Sequence, residues 1–211
     1  MNLAIVSDNH TQYNFDVPQA DVLIHCGDFS YQGKPDEMID FRDWLVRQPH
    51  THKLFVWGNH ERIDQQELYW REFLEETGAE CIHNMRAPLE IDGVTFFGSS
   101  YTPIFGSWAF MKDNDQRERY WKNAPSNVDV LVTHGPPFGI LSNNTEGKDC
   151  GCPYLRDYVL RHRPRIHCFG HIHEAAGVQV DEDLGVTYIN ASLLNREYKL
   201  QNKPTEVTLN D

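Results

Sequence analysis

Gly170-His171-Ile172-His173 closes a series of polar clusters whose residue types are those of metal ligands. The series begins at Asp8-Asn9-His10 and continues through Gly27-Asp28, Gly58-Asn59-His60-Glu61 and Thr133-His134-Gly135. Each cluster follows a short apolar run, so its side chains fall on loops at strand ends, where α/β folds build their sites. Together the clusters supply carboxylates, imidazoles and one amide, enough for two divalent ions.

In Asp8-Asn9-His10 a single intervening residue puts both ligands on one side of an extended segment. His171 and His173 alternate in the same way. Asp28 is the natural bridge, because a carboxylate can coordinate two ions at once. Asn59 offers an amide oxygen, a hard ligand that adds no charge, and His134 sits at a strand end. Mixed nitrogen and oxygen ligation suits Mn best and admits Fe, Zn, Co or Mg. Two such ions about 3.5–4 Å apart can deprotonate a bridging water and clamp phosphoryl oxygens during in-line attack, so the expected chemistry is metal-assisted hydrolysis of a phosphate ester.

The elements that must position these groups are readable from the apolar pattern. Leu3–Val6, Asp21–His25, Lys53–Trp57, Val128–Val132 and Arg165–Phe169 read as strands that lead into the clusters. Lys34–Gln48 carries Met38, Ile39, Phe41, Trp44 and Leu45 at helical spacing and stops at Pro49. Asp64–Thr77 reads as a helix with Asp64 as N-cap and Glu67 completing a capping box, followed by Gly78. Pro88–Gly98 reads as a hairpin turning at Asp92-Gly93. Lys112–Lys122 and Cys152–His162 read as helices. Val178–Val180, Val186–Ile189 and Glu206–Leu209 are late strands. Strands and helices alternate and hairpins add strands, which predicts an α/β fold of four layers: two packed mixed sheets flanked by helices. No linker or repeat interrupts residues 1–211, which are read as one domain.

Composition narrows the partners. The chain has 211 residues, is 40% hydrophobic and carries a formal net charge of -12. That balance is wrong for a general nucleic-acid binder. It fits a small phosphodiester or nucleotide neutralised locally by bound cations. The basic run Arg161-His162-Arg163-Pro164-Arg165 reads as a helix end meeting a strand. There are five cysteines and no apolar segment of membrane-spanning length, and the Met1 start has no basic leader. A reducing cytoplasm and a monomer or homodimer are the expectation. Cys150-Gly151-Cys152 lacks a partner pair and reads as free thiols in a loop.

The five clusters, in this order, resemble the calcineurin-like metallophosphoesterase superfamily, whose pattern is Asp-x-His, Gly-Asp, Gly-Asn-His-Asp/Glu, His and Gly-His-x-His. The stretches His25–Phe29, Gly58–Glu61, Thr133–Pro137, Phe169–Glu174 and Tyr188–Ser192 look most like its MPPED-type branch, which is similar to class III cyclic nucleotide phosphodiesterases. The resemblance implies that Asp8, His10 and His173 hold a first metal, that Asn59, His134 and His171 hold a second, and that Asp28 bridges them. It implies that His60 faces the phosphate, stabilising charge or protonating the leaving group. Retention of both His171 and His173 implies an active enzyme.

The chain also departs from the superfamily. Its phosphoprotein phosphatases follow Gly-Asp with a nearby Asp-Arg-Gly, and here Gly27-Asp28 runs on as Phe29-Ser30-Tyr31-Gln32-Gly33. The phosphate-binding arginine is missing, and so is the acid that orients the catalytic histidine. The expected function is therefore diester hydrolysis, with a phosphomonoesterase or a non-catalytic metal- or nucleotide-binding scaffold as rivals. Arg62 could reach a phosphate or simply lie on an exposed loop. The aromatic stretch from Tyr101 to Phe110 could stack a base or plug the core. Phe105 and Phe110 read as packing, whereas Tyr101 and Trp108 join Asn59, His60 and Arg62 as candidate substrate contacts. His25 and His167 read as buried structural histidines.

Overall fold

The apolar runs become strands buried on two faces. The computed structural model describes residues 1–63 and 66–210. One sheet has the order β13-β1-β2-β3-β4, from β1 (Asn2–Val6), β2 (Val22–His25), β3 (His52–Phe55), β4 (Ala79–Cys81) and β13 (Thr205–Thr208). The other has the order β11-β12-β10-β9-β6-β5. Its strands are β5 (Leu89–Ile91), β6 (Val94–Ser99), β9 (Val130–Thr133), β10 (Ile166–Phe169), β11 (Gly177–Asp181) and β12 (Val186–Asn190). Strands β1 to β4 run parallel, as do β6, β9, β10 and β12; the antiparallel partners sit at edges.

Alternation within the apolar runs assigns each face. Leu3, Ile5, Val22, Ile24 and Leu54 of the first sheet meet Phe96, Val130, Val132, Ile166 and Ile189 of the second in a central core. The intervening Ala4, Val6, Leu23 and Phe55 pack outward, against Met38, Phe41, Trp44 and Leu45 of α1 (Pro35–Arg47) and Trp70 and Leu74 of α2 (Glu67–Glu75). Phe97, Leu131, Phe169 and Tyr188 do the same against Trp121 of α3 (Asn114–Asn123) and Leu155, Tyr158 and Val159 of α4 (Pro153–His162). Burial on both faces is why these strands read as continuous apolar runs. The layers are helix, sheet, sheet, helix, as the sequence predicts.

Several local expectations hold. Asp92 and Gly93 both have positive φ, 47° and 80°, as a two-residue hairpin turn of mirror-image type requires. The charged helix expected from Lys112 to Lys122 is α3, and it opens on a capping box of Asp113 and Gln116. The run Arg161–Arg165 is the end of α4 meeting β10. All five cysteines are free. Others need correction. Ile39 points to solvent, 47% exposed, because α1 buries only a narrow stripe. The N-cap expected at Asp64 is not among these corrections, since it lies outside the described residues; α2 is described from Glu67. The aromatic stretch is not a plain loop: β7 (Thr102–Pro103) and β8 (Met111–Lys112) pair as a short parallel ribbon, with Phe110 accepting a backbone hydrogen bond from Thr102 at its base. Among the described residues, no helix is long and apolar enough to cross a membrane.

Candidate metal centre

All five clusters stand at the C-terminal ends of parallel strands and converge on one seam between the two sheets. Asp8 and His10 follow β1, Asp28 follows β2, and Asn59 and His60 follow β3; His134 follows β9, and His171 and His173 follow β10. A parallel bridge between Ser7 and Ser192 closes the seam beside them.

The ligand spacing works for a different reason from extended alternation. Asp8, His10, Asp28 and His171 have φ of 53°, 39°, 56° and 72°, in the left-handed region, and His173 starts a 3-10 turn. Each such non-glycine residue costs about 1–3 kcal/mol, and this strain collects at functional sites. Tight turns of this kind bring the side chains round within one or two residues. Two glycines make room for them. A Cβ on Gly58 would strike the Asp28 carboxylate, and one on Gly170 would strike the Asp8 carboxylate and the Ser7 hydroxyl.

Three overlapping groups of donor atoms lie within 4.8 Å of one another: Asp8, His10 and His173; His10, Asp28 and His60; and Asp28, His134 and His171. His10 Nε2 and His173 Nε2 face each other at 3.3 Å, and His173 Nε2 lies 3.4 Å from Asp8 Oδ1. On the other side His134 Nε2 is 2.9 Å from Asn59 Oδ1 and 3.3 Å from Asp28 Oδ2. Two ligands about 2.1 Å from one cation, at ordinary coordination angles, stand about 3.0–3.4 Å apart. Two imidazole nitrogens held this close suit a shared cation.

The supporting groups fix which nitrogen is presented. The Nδ1 atoms of His10, His134, His173 and His60 lie 2.8–3.1 Å from the carbonyl oxygens of Ser30, Cys26, Asn195 and Tyr31. A carbonyl can only accept, so in the neutral rings the proton sits on Nδ1 and Nε2 is free to ligate. Asp8 accepts from the His171 backbone N–H and from the Ser192 hydroxyl. Asp28 Oδ1 accepts from the His60 N–H at 2.8 Å. Glu61, fully buried, accepts from the N–H groups of Asp28, Ser30 and Gly58 and from the Ser30 hydroxyl, tying two ligand loops together.

Electrostatics point the same way. Burial pushes Asp8 up, but hydrogen bonding and charge from His173 and its neighbours overcome this and hold the acid well below the usual carboxylate range. Asp28 is likewise depressed, with His134 outweighing burial. Burial lowers His134 and His173 less than the acids raise them, and both reach about 9. Burial dominates at His10 and His171, which fall to about 4 and about 3. No Lys or Arg pairs with Asp8 or Asp28 among the described residues. Buried carboxylates that pair with no Lys or Arg among the described residues, ringed by imidazoles, fit a divalent metal.

The candidate substrate contacts divide. Trp108 stacks on His60 with centroids 4.3 Å apart, and Arg62 lies over Trp108, 5.5 Å from the ring centroid, donating to the Ser107 carbonyl. Tyr101 is not brought to the ligands; its ring meets His83, Tyr120 and the Lys112 ammonium. Phe105 is 41% exposed and tilts against His171, so the packing expected of it is not seen, whereas Phe110 packs near Trp57 as expected. His25 bonds Asn9 Oδ1 at 2.8 Å and braces the first loop, and His167 bonds Thr133 within the core. Sequence reasoning missed Tyr31 and Tyr198, whose rings lie 5.3 and 4.9 Å from His10. It also missed the Tyr31 carbonyl as the orienter of His60. A backbone acceptor leaves no signature in side-chain types.

The fold and the ligand cluster are those of a metallophosphoesterase. The model of the calcineurin-like phosphoesterase family matches residues 1–175, and the chain belongs to that family. It is 37% identical to the UPF0046 protein K07C11.7 of Caenorhabditis elegans, over 97% of this chain and 73% of that protein. It is 34% identical to human metallophosphoesterase domain-containing protein 1, over 97% of this chain and 69% of that protein. In fold it is similar to the crystal structure of TT1561 of Thermus thermophilus, with a TM-score of 0.62 at 12% identity, covering 95% and 96% of the two chains. Metal-dependent phosphoester hydrolysis is the chemistry that the family and the ligand groups support.

Proposed function

We propose that this chain, as a single domain over residues 1–211, hydrolyses small phosphodiesters such as a cyclic nucleotide, in the cytoplasm. One observation carries the reading: imidazole Nε2 atoms, each ring oriented by a backbone carbonyl, converge on two buried carboxylates that pair with no Lys or Arg among the described residues. Asp8, His10 and His173 would hold one divalent ion, Asn59, His134 and His171 a second, and Asp28 would reach both. Manganese suits this donor set best. Bound cations would supply an activated water and charge stabilisation for the phosphoryl group. The chain's own residues do the rest. Asp8 and Asp28 fix the ligand loops through backbone N–H groups. His60, with its Nδ1–H donating to the Tyr31 carbonyl, would present Nε2 toward the phosphate, and as an imidazolium it would donate Nε2–H to a phosphoryl oxygen or to the leaving group. Trp108 keeps that ring in place and offers a flat surface to an organic substituent.

The diester preference rests on what binds the phosphate. Arg62 donates to the Ser107 carbonyl and lies over Trp108, an arrangement that draws its fork away from the bidentate clamp a dianionic monoester needs. The test is a panel of bis(p-nitrophenyl) phosphate, the corresponding monoester, 2′,3′- and 3′,5′-cyclic nucleotides and a phosphopeptide, each with added manganese. The expected order by kcat/KM puts a diester first. A phosphopeptide ahead of every diester would reverse the assignment, and no turnover with any metal would leave a binding scaffold.

A further inference from the structure

Away from the ligand cluster, a cleft of about 740 Å3 opens at the base of the β7–β8 ribbon. Among the described residues its walls include Arg86, Lys112 and Arg119, with Tyr101, Tyr120 and Met85, and no carboxylate. That is the reverse of the molecule as a whole, whose formal net charge is -12. Among the described residues none of these three cations makes an ion pair. The Lys112 ammonium lies over the Tyr101 ring, 4.3 Å from its centroid, an arrangement that leaves its charge unneutralised. The Tyr101 and Tyr120 rings meet edge to face at 4.9 Å. Like charges gathered in one concavity repel unless an anion joins them, and the volume matches that of sites for small organic ligands.

We propose that this cleft is a second ligand site, binding a nucleoside phosphate with its phosphates across Arg86, Lys112 and Arg119 and its ring against the aromatic wall. Its position couples it to the metal centre. Tyr101 and Lys112 bracket the ribbon, whose tip places Phe105 on His171 and Trp108 on His60. An occupant at the base of the ribbon therefore bears on how its tip seats over the candidate ligands. The site does not depend on which ester the metal centre hydrolyses.

The probe is ADP, with pyrophosphate and adenosine as separate arms, titrated calorimetrically into the metal-loaded chain with free metal in excess. The comparison is the double variant Arg86→Glu/Arg119→Glu, both at exposed positions that touch none of the proposed metal ligands. Wild type should bind ADP at one more site than the variant, or the variant's affinity for that site should fall at least tenfold. Pyrophosphate should compete, and adenosine alone should bind more weakly than ADP. Hydrolysis of bis(p-nitrophenyl) phosphate without ADP should be equal in the two proteins, and ADP at concentrations that fill the second site should alter it in wild type only. Equal stoichiometry and affinity in both proteins would overturn the site, because all binding would then belong to the metal centre. Tight adenosine binding without pyrophosphate binding would overturn the assignment of the three cations.

Discussion

Replacing Glu61 by glutamine should loosen two ligand loops at once while changing a single atom type. In the native site Oε1 accepts from the Ser30 N–H at 2.9 Å and its hydroxyl at 2.7 Å, and Oε2 accepts from the Asp28 and Gly58 N–H groups at 2.9 and 2.6 Å. All four neighbours donate. A glutamine amide must set its NH2 against two of them. The cheaper orientation faces Ser30, whose hydroxyl can rotate to accept, but the Ser30 N–H is then left buried and unpaired. Stranding that group costs about 1–3 kcal/mol, and the two remaining bonds each lose about 1 kcal/mol with the charge. Some of this is recovered, because burial and the Asp28 charge push the Glu61 carboxyl up to about 7. A net loss of about 2–4 kcal/mol is expected. Urea unfolding of the metal-free chain measures it, and manganese titration should show weaker binding through the Asp28 loop. Ser30→Ala, which removes one donor and strands nothing on Glu61, should lose less. A Glu61→Gln variant within about 0.5 kcal/mol of wild type, the spread of neutral surface changes, with unaltered manganese affinity would refute the reasoning.

Gly170→Ala should displace Asp8, since the added Cβ would strike its carboxylate, and elemental analysis should find metal content reduced with most of the fold intact by circular dichroism; full occupancy would show that the loop has slack. Metal binding should release protons. His134 and His173 sit near 9 in the metal-free chain, so both carry protons at pH 7 that a cation must expel. Apparent affinity should therefore rise with pH up to about 9, by up to two decades per unit, and calorimetry in buffers of different ionisation enthalpy should count close to two protons; a count near zero contradicts the ligand assignment. His60→Ala should lower kcat by about 10²–10⁴-fold with metal retained, less so for a diester with an acidic leaving group. Loss of metal instead would make His60 a ligand.

The layers and the candidate site were legible in the sequence for one physical reason. Strands buried on both faces read as unbroken apolar runs, and each ends abruptly at polar residues of ligand type. Val22–His25 before Gly27-Asp28 and Ile166–Phe169 before His171 are the clearest cases. What was hidden is what side-chain type does not encode. Asp8 and His10 meet through left-handed backbone, not through extended alternation. The orienters of the imidazoles are carbonyls of Ser30, Cys26, Asn195 and Tyr31, and any residue carries a carbonyl. The β7–β8 ribbon is two residues per strand, too short to show a period. Tyr198 lies almost the whole chain away from His10, and only the closed seam brings the rings together.

The seam itself has a consequence for folding. The atoms that would share the first cation, His10 Nε2 and His173 Nε2, belong to different sheets and are 163 residues apart in the chain. An ion bound there would act as a cross-link between two layers, closing a loop of 163 residues. The chain-entropy model for a covalent link of that span gives about 5 kcal/mol, taken from the unfolded ensemble. Asp8 and His10 follow a strand of one sheet and His173 a strand of the other, so losing the ion would remove a tie across the seam rather than one within a sheet. Removal of the ion should leave each sheet with its own helices intact while the interface between them begins to breathe. Hydrogen exchange would then accelerate at the C-terminal ends of β1 and β12, beside the Ser7–Ser192 bridge, well before it does within either layer.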